Sequence, residues 1–282
     1  MDSYYVLGNP IAHSKSPLIH ARFAELTGQA MHYGRLLTPL DGFAAMLAHL
    51  LQSGARGCNV TVPFKLEAFR AASTQTDRAQ LAEAANTLTL AGSAVHADNT
   101  DGVGLVNDIQ NHAGVSLVAR DVLLIGAGGA GAGVLGSLLA AGPRRLVLVN
   151  RTRAKADELV DRHKAHVSMQ DFLKKTELAS QDLQNLKSDF DIVINASSSS
   201  LTGTGVPVGR SVLKPGALAY DIMYGPAAAG FMTWARENGA TPRDGLGMLV
   251  EQAAEAFAWW RGVRPTASQV LKVLQEIRAL PT

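Results

Sequence analysis

The chain has 282 residues, of which 47% are hydrophobic and 18% are charged. This composition excludes a wholly disordered chain, and the length predicts one large domain or two modest ones. The formal net charge of +2 is too small to indicate nucleic acid or an anionic membrane as a partner. The lone cysteine, Cys58, excludes an intramolecular disulfide and favours a reducing compartment. Its place in a predicted strand indicates a buried, unreactive thiol.

The first residues contain no basic stretch followed by an apolar one, and a turn at Gly8–Pro10 interrupts them. They therefore do not resemble a secretory signal. The longest apolar runs are far shorter than the roughly 20 residues of a membrane-spanning helix. We expect a cytoplasmic protein.

Strand-like and helix-like patterns alternate along the chain, which predicts an α/β fold with a mostly parallel sheet. In the first hundred residues, strands are predicted at 4–7, 32–37, 58–62 and 87–90, with helices at 16–26 and 43–52. A second pattern starts near Asp121, with strands predicted at 121–125, 146–150, 191–197 and 218–222 and a helix at 132–141. Residues 168–190 are polar and helix-like, and two helices are predicted after Gly245.

A glycine-rich motif follows the strand DVLLI and precedes a helix. It satisfies the G-x-G-x-x-G pattern of dinucleotide-binding sites, in which glycines let the backbone approach a pyrophosphate at a helix N-terminus. The predicted contacts are Gly126, Ala127, Gly128, Gly129 and Ala130.

The end of the next strand indicates which dinucleotide binds. An NAD site would place a carboxylate roughly 20 residues after the glycines, to bind the ribose 2′-hydroxyl. Asn150-Arg151-Thr152 stands there instead, followed by Lys155. Because a guanidinium suits a 2′-phosphate, we predict NADP as the cofactor.

Outside the nucleotide region, polar side chains cluster where predicted strands end: Ser14, Lys15 and Ser16, then Asn59, Thr61, Lys65, Asn86 and the run 98–101. Ligands of open α/β sheets bind at the carboxyl ends of strands. Hydroxyls, amides and an ammonium suit a small polyhydroxylated acid as the substrate.

At these positions the chain resembles the shikimate dehydrogenase family. The matching segments are GNPIAHSKSP, NVTVPFK, AANTL, DNTDGVG, IGAGGA, NRT, VINAS, DIMY and DGLGMLVEQAA. The resemblance implies NADP-dependent interconversion of shikimate and 3-dehydroshikimate. It implies a substrate domain at 1–100, to which helices in 246–282 return, and a Rossmann-like NADP domain at 101–245, separated by a cleft. A small-molecule substrate, no nucleic acid, no membrane and a monomer or homodimer are expected.

The resemblance also implies residue roles. Lys65 and Asp101 match the catalytic pair. The implied substrate contacts are Ser14, Ser16, Thr61, Asn86, Tyr224 and Gln252. The implied cofactor contacts beyond the glycine loop are Asp77, Asn150, Arg151, Thr152, Lys155, Ile222 and Gly245. Gly131, Ala132, Lys155 and Ile222 depart from the residues common in the family, which bears on cofactor affinity.

Reducing a ketone by hydride leaves an alkoxide, which Lys65 could protonate while Asp101 holds the ammonium, shares the proton or binds a substrate hydroxyl. Most lysines are instead solvated surface charges, and Asp101 could cap the helix that begins there. With no cluster of cysteine and histidine ligands, no metal is expected.

Three other functions remain open. One is a quinate/shikimate dehydrogenase of broader substrate and cofactor range. The second is a non-catalytic NADPH-binding regulator, which loss of Lys65 or Asp101 would favour. The third is another two-domain dehydrogenase, such as one acting on folates, which would not require the SKS and NVTVPFK segments together.

Overall fold

The computed structural model describes residues 1–186, 189–197 and 206–280. Contacts divide the chain into two compact units, each with its own sheet. The first comprises Met1–Gly104 together with residues 250–280, and the second comprises Leu105–Leu249. Within the described ranges, no helix has the length and apolar character needed to cross a membrane. The predicted α/β class is confirmed.

The first unit contains a six-stranded sheet in the order β2-β1-β3-β5-β6-β4. Its strands are β1 (Asp2–Gly8), β2 (Met31–Leu37), β3 (Gly57–Val60), β4 (Thr74–Gln75), β5 (Thr87–Ala91) and β6 (Ala94–Asp98). Strand β1 runs parallel to β2 and β3, whereas β5 is antiparallel to β3 and β6. The carboxyl ends of β1 and β3 therefore lie at one edge.

Helices cover this sheet through apolar faces. In α2 the buried residues Phe43, Leu47 and Leu50 follow helical spacing and join a core with Leu7 and Val60 of the sheet. The helices of this unit are α1 (Ser16–Thr27), α2 (Phe43–Gln52), α3 (Lys65–Ala71), α4 (Asp77–Ala82) and, near the end of the chain, α11 (Ala267–Ala279). Helix α1 ends at Gly28, whose φ of +66° is the left-handed conformation that glycine adopts readily.

Two further helices carry the chain from one unit to the other. Helix α5 (Asp101–Asn107) continues into a π-helical turn, Asp108–His112, and α10 (Leu246–Arg261) returns the chain to the first unit. The first unit is therefore discontinuous in sequence, whereas the second is a single stretch.

The second unit contains six parallel strands in the order β12-β11-β10-β7-β8-β9. This is the strand order of a dinucleotide-binding sheet, with the first strand of the unit, β7, at its centre. The strands are β7 (Asp121–Ile125), β8 (Arg145–Asn150), β9 (Glu177–Asp182), β10 (Phe190–Asn195), β11 (Leu213–Asp221) and β12 (Thr241–Arg243). The helices are α6 (Gly129–Ala140), α7 (Arg153–Ala165), α8 (Gln170–Leu173) and α9 (Ala229–Glu237).

The structure corrects the sequence prediction for residues 168–190. Helix α8 lies there, but the segment also contains β9, a strand of six residues. Strand β9 is at the edge of its sheet and only Leu178 in it is fully buried, so its sequence lacks the apolar run of a central strand. Strand β3 also ends at Val60, before the predicted end at 62.

Candidate active site

A lysine and an aspartate of the first unit form a partly buried ion pair. Lys65 is the first residue of α3 and Asp101 is the first residue of α5. The Lys65 Nζ donates to Asp101 Oδ2 over 2.5 Å, and the two side chains are 24% and 3% exposed. The structure thus brings together the two residues expected to be catalytic, with a partly exposed lysine side chain paired to a buried carboxylate.

Asn86 holds the other oxygen of that carboxylate. Its amide Nδ2 donates to Asp101 Oδ1 and to Gln252 Oε1, both at 2.8 Å, and lies 3.0 Å from Thr100 Oγ1. Asn86 is only 3% exposed, and Gln252 reaches it from α10. Both oxygens of Asp101 are therefore engaged by side chains, which fixes the direction in which Lys65 points.

The two serines expected to bind substrate lie after β1. The Ser14 Oγ accepts from the Ser16 backbone N–H over 3.3 Å at the beginning of α1, and Arg35 donates to the Ser14 carbonyl oxygen at 2.6 and 3.0 Å. Thr61 follows β3, and its N–H donates to the Leu7 carbonyl over 2.9 Å. The serines and Thr61 thus follow neighbouring parallel strands at the same sheet edge.

The sequence did not predict the hydrogen bonds and ring stacking that support this edge of the first sheet. The Tyr33 hydroxyl donates to Asn59 Oδ1 at 2.7 Å, and Asn59 Nδ2 donates to the Asn86 carbonyl at 3.1 Å. The buried ring of His20 stacks on Tyr33 with 4.2 Å between centroids. Burial lowers the pKa of His20 to about 3, so this histidine is a neutral packing residue. A tyrosine within a strand offers no signal of such a role in the sequence.

The glycine loop of the second unit divides into packed and open positions. Gly126 has a φ of +111°, and an added Cβ there would lie 2.8 Å from the Ala196 backbone. A Cβ at Gly131 would lie 1.9 Å from the Gly126 carbonyl oxygen. At Gly128 and Gly129 a Cβ would meet nothing within 4 Å among the described residues. The first and third motif glycines thus allow close packing, and the second leaves the backbone accessible to a ligand.

The end of β8 joins this loop through Asn150. Its Oδ1 accepts from the Ala127 N–H at 3.2 Å, and its Nδ2 donates to the Thr152 carbonyl at 2.9 Å. Arg151, Thr152 and Lys155 are exposed. In the described part of the chain, Arg151 has no ion pair, whereas the nearby Arg153 donates to Asp157 at 2.7 Å. An exposed guanidinium beside an open glycine loop fits a phosphorylated ribose.

Two expected cofactor positions follow neighbouring strands on the other side of β7. Ile222 comes directly after β11, and Gly245 lies just beyond β12. The Gly245 N–H donates to the Met223 carbonyl over 2.9 Å, and an added Cβ at Gly245 would lie 2.1 Å from the Ile222 oxygen. Glycine at 245 is therefore required for these two strand ends to approach each other.

Two predicted site residues belong to the unit opposite to the rest of their group. Tyr224 is in the second unit, directly after Ile222 and Met223, and burial raises the pKa of its hydroxyl. Asp77 is in the first unit, at the beginning of α4.

Cys58 is fully buried, and burial raises the pKa of its thiol to about 12, which agrees with an unreactive thiol.

Three family models match most of the chain. They describe a shikimate dehydrogenase substrate binding domain over residues 6–88, a shikimate / quinate 5-dehydrogenase over residues 108–204 and a shikimate 5′-dehydrogenase C-terminal domain over residues 245–275.

Similar proteins cover the whole length. Shikimate dehydrogenase (NADP(+)) from Acidovorax sp. (strain JS42) is 62% identical over 278 residues, which is 99% of this chain and 96% of that protein. The crystal structure of an Ael1 enzyme from Pseudomonas putida superposes with a TM-score of 0.88 at 45% identity, covering 100% and 99% of the two chains. Shikimate 5-dehydrogenase from Thermus thermophilus, crystallised in complex with NADP(H) and shikimate, gives 0.84 at 29% identity, covering 99% and 100%. On this agreement of fold, motifs and full-length identity, the chain belongs to the shikimate dehydrogenase family.

Proposed function

We propose that the protein catalyses the reversible, NADPH-dependent reduction of 3-dehydroshikimate to shikimate, a step in the chorismate route to aromatic amino acids. The observation that carries this proposal is the Lys65–Asp101 pair, whose carboxylate accepts from Asn86 at 2.8 Å, while Asn86 in turn donates to Gln252 at 2.8 Å. A non-catalytic regulator would not need a lysine ammonium paired to a buried, doubly hydrogen-bonded carboxylate. The relatives named as NADP(+)-dependent shikimate dehydrogenases support the substrate and the cofactor.

The chemistry requires one hydride and one proton. NADPH, when bound, supplies the hydride to the ketone carbon. Lys65 donates the proton to the developing alkoxide from Nζ and takes it back when shikimate is oxidised. Asp101 keeps the ammonium aligned through its 2.5 Å contact. Ser14 and Ser16 bind the substrate carboxylate, and Thr61, Asn86, Tyr224 and Gln252 bind its hydroxyls.

Residues of the second unit would make most of the cofactor contacts. The open backbone of the loop 126–130 would hold the pyrophosphate, and Asn150 keeps the loop against the end of β8. Arg151, with Thr152 and Lys155, binds the 2′-phosphate. Ile222 and Gly245 contact the nicotinamide half, and Asp77 is a further cofactor contact. The domains are accordingly a substrate domain at 1–100 with 246–282 and an NADP domain at 101–245.

The proposal includes the type of substrate, the cellular compartment and the oligomeric state. The protein acts on a small molecule and not on nucleic acid, consistent with its net charge of +2. It works in the cytoplasm, as a monomer or homodimer. A single, buried, free thiol fits that reducing compartment.

One assay tests the proposal. Shikimate and quinate are each combined with NADP and NAD, and the absorbance of reduced nicotinamide is followed. We expect shikimate with NADP to give the highest kcat/KM. Comparable efficiency with quinate or NAD would replace this function with a quinate/shikimate dehydrogenase. No turnover by folded protein that binds NADPH would favour the regulator.

A further inference from the structure

A buried carboxylate of the second unit ties together three segments around the ends of β11 and β12. Asp108, in the π-helical turn after α5, is fully buried. Its Oδ2 accepts from the Tyr220 hydroxyl at 2.7 Å and from Arg243 Nε at 2.8 Å, and its Oδ1 accepts from Arg243 Nη2 at 2.5 Å. The pair is bidentate, and the side chains of Arg243 and Asp108 are only 17% and 0% exposed.

The third segment is the beginning of α10. A Cβ added to Gly247 would lie 1.8 Å from Asp108 Oδ1 and 2.2 Å from its Cγ. The carboxylate therefore packs directly on the helix backbone, and only glycine leaves room for it. Arg243 already neutralises the charge of Asp108, so the contact between Asp108 and the helix backbone is not needed for charge balance.

The register of the sheet connects this carboxylate to the strand ends. Tyr220 and Arg243 are direct partners in the parallel pairing of β11 with β12. Each lies two residues before a strand-end position, Ile222 and Gly245 respectively, and Gly247 lies two residues after Gly245. Asp108 thus holds both strands and the following helix just before the chain reaches the carboxyl edge.

The ends of β11 and β12 lie on the side of the sheet where one half of a dinucleotide would bind. In this strand order, two mononucleotide-binding halves meet at the central strand, and the dinucleotide spans them. Arg151 is on the β8 side, with the adenosine ribose. Strands β10, β11 and β12 form the other half, on the nicotinamide side.

We propose that Asp108 is a positioning residue for the nicotinamide half of the cofactor site, fixing the ends of β11 and β12 through Tyr220, Arg243 and Gly247. This role rests on the proposed function. Asp108 touches no reacting atom; it sets where the backbone at Ile222 and Gly245 lies, and therefore where the reactive ring is held.

The experiment compares Asp108→Asn and Tyr220→Phe with Asp121→Asn as a matched control. Asp121 is another buried carboxylate of this unit, paired with Arg144 and Lys214, but it lies at the amino end of β7. Three quantities are measured: the single-turnover rate of hydride transfer from shikimate to NADP, the fluorescence of bound NADPH, and the affinity for adenosine 2′,5′-bisphosphate, which lacks the nicotinamide half.

We expect hydride transfer to slow by roughly 10- to 100-fold in Asp108→Asn, because misplacement by about 1 Å can cost ~10²-fold. Tyr220→Phe should slow it less, and both should alter the emission of bound NADPH. Affinity for adenosine 2′,5′-bisphosphate should stay within about twofold of wild type, well under the ~10-fold that 1.4 kcal/mol represents. Asp121→Asn should leave all three quantities unchanged.

A second pair of variants tests the packing independently. Gly247→Ala should slow hydride transfer in the wild type, whereas in an Asp108→Ala background it should add little, because the carboxylate that it strikes is gone.

Several results would overturn the positioning role: wild-type rates and emission in both Asp108→Asn and Tyr220→Phe, an equal loss in Asp121→Asn, or a parallel loss of adenosine 2′,5′-bisphosphate affinity. If Asp108→Asn fails to fold, Tyr220→Phe decides, since it removes one hydroxyl from the same contact. A wild-type protein that does not oxidise shikimate would contradict the proposed function instead, and NADPH emission would still report the positioning.

Discussion

The ion pair between Lys65 and Asp101 is shaped by what surrounds the carboxylate. Asp101 is nearly buried and receives hydrogen bonds on both oxygens, from Lys65 and from Asn86. A carboxylate held in this way has little freedom to rotate, so it orients the ammonium toward one direction. Lys65 keeps about a quarter of its side chain exposed, whereas the Asp101 side chain is only 3% exposed.

Removing the ammonium should abolish most turnover. We expect Lys65→Ala to lower kcat by at least ~10²-fold, the low end for general acid–base catalysis, with NADPH binding retained. Asp101→Asn should also be slow, and the double variant should lose much less than the product of the two losses, because the residues act as a unit. Steady-state kinetics of shikimate oxidation measure this. Lys174→Ala is the control, because Lys174 pairs with Asp171 at 2.6 Å on an exposed surface. Near-normal kcat in folded Lys65→Ala would exclude the role.

Cofactor preference should depend on one arginine and not on its neighbour. We expect Arg151→Ala to weaken NADP binding by about 10- to 150-fold and to leave NAD almost unchanged, because a hydrogen bond to a charged group contributes about 1.5–3 kcal/mol. Arg153→Ala should change NADP affinity little, since that guanidinium is engaged by Asp157. Titrations with both dinucleotides at low and raised salt measure this, and salt should narrow the wild-type preference. Equal losses in the two variants would mean that general positive charge, not the strand end, selects NADP.

Some of the site was predictable at this scale and some was not. Lys65, Asn86 and Asp101 stand in motifs that resemble a known family, so their importance could be predicted. Their mutual contacts could not, because Asn86 meets Gln252 across a sequence separation of 166 positions. Asp108 was missed altogether: within GVGLVNDI it has the pattern of an ordinary polar helix residue, and only burial reveals its partners.

At the scale of elements, the turn from β7 into α6 assigns different tasks to its glycines. Gly126 and Gly131 allow the strand, the helix and the segment at Ala196 to approach closely. Gly128 and Gly129 leave open space among the described residues. The strand–turn–helix arrangement was predictable from the motif, and the helix begins at Gly129, three residues earlier than the predicted 132. That first turn is nearly all glycine and alanine, so no apolar periodicity marks it.

Two substitutions in this turn should have opposite consequences. We expect Gly131→Ala to lower the free energy of unfolding by about 1–3 kcal/mol, because its methyl group would collide with the Gly126 carbonyl. Gly128→Ala should leave stability nearly unchanged and weaken NADP binding by at least about tenfold, through the loss of a backbone contact to a charged phosphate. Urea unfolding and NADP titration separate the two effects. A stable Gly131→Ala or a tight-binding Gly128→Ala would contradict this division.

At the scale of the molecule, the second unit carries a charged cluster at the amino ends of its strands. Asp121 is buried and accepts from Arg144 at 2.6 Å and from Lys214 at 2.9 Å, and Lys214 also donates to Asp191 at 2.9 Å. Hydrogen bonding by Arg144, together with the nearby cations, lowers the pKa of Asp121 to about 2. The folded state therefore stabilises the ionised form of Asp121 relative to the unfolded state.

This pKa sets a pH dependence of stability. Because the folded value of about 2 lies below the unfolded 3.8, the contribution is complete above pH 3.8 and is lost as pH falls toward 2. We expect it to be about 2 kcal/mol, at 1.36 kcal/mol per unit of pKa. Urea unfolding of wild type and Asp121→Asn across the acid range should show two curves that converge as pH falls. Parallel curves would mean that the carboxylate contributes nothing through its charge.

The discontinuous first unit has a consequence for how the protein is made. Synthesis completes Leu105–Leu249 as one unbroken stretch, whereas the unit that contains Lys65 and Asp101 also needs residues of α10 and α11. Gln252, which closes the hydrogen-bond network on Asn86, is among the later residues to leave the ribosome. The second unit can therefore fold first, even though it begins about a hundred residues into the chain. Under the proposed function, we therefore expect a nascent chain to bind NADP before it can bind shikimate.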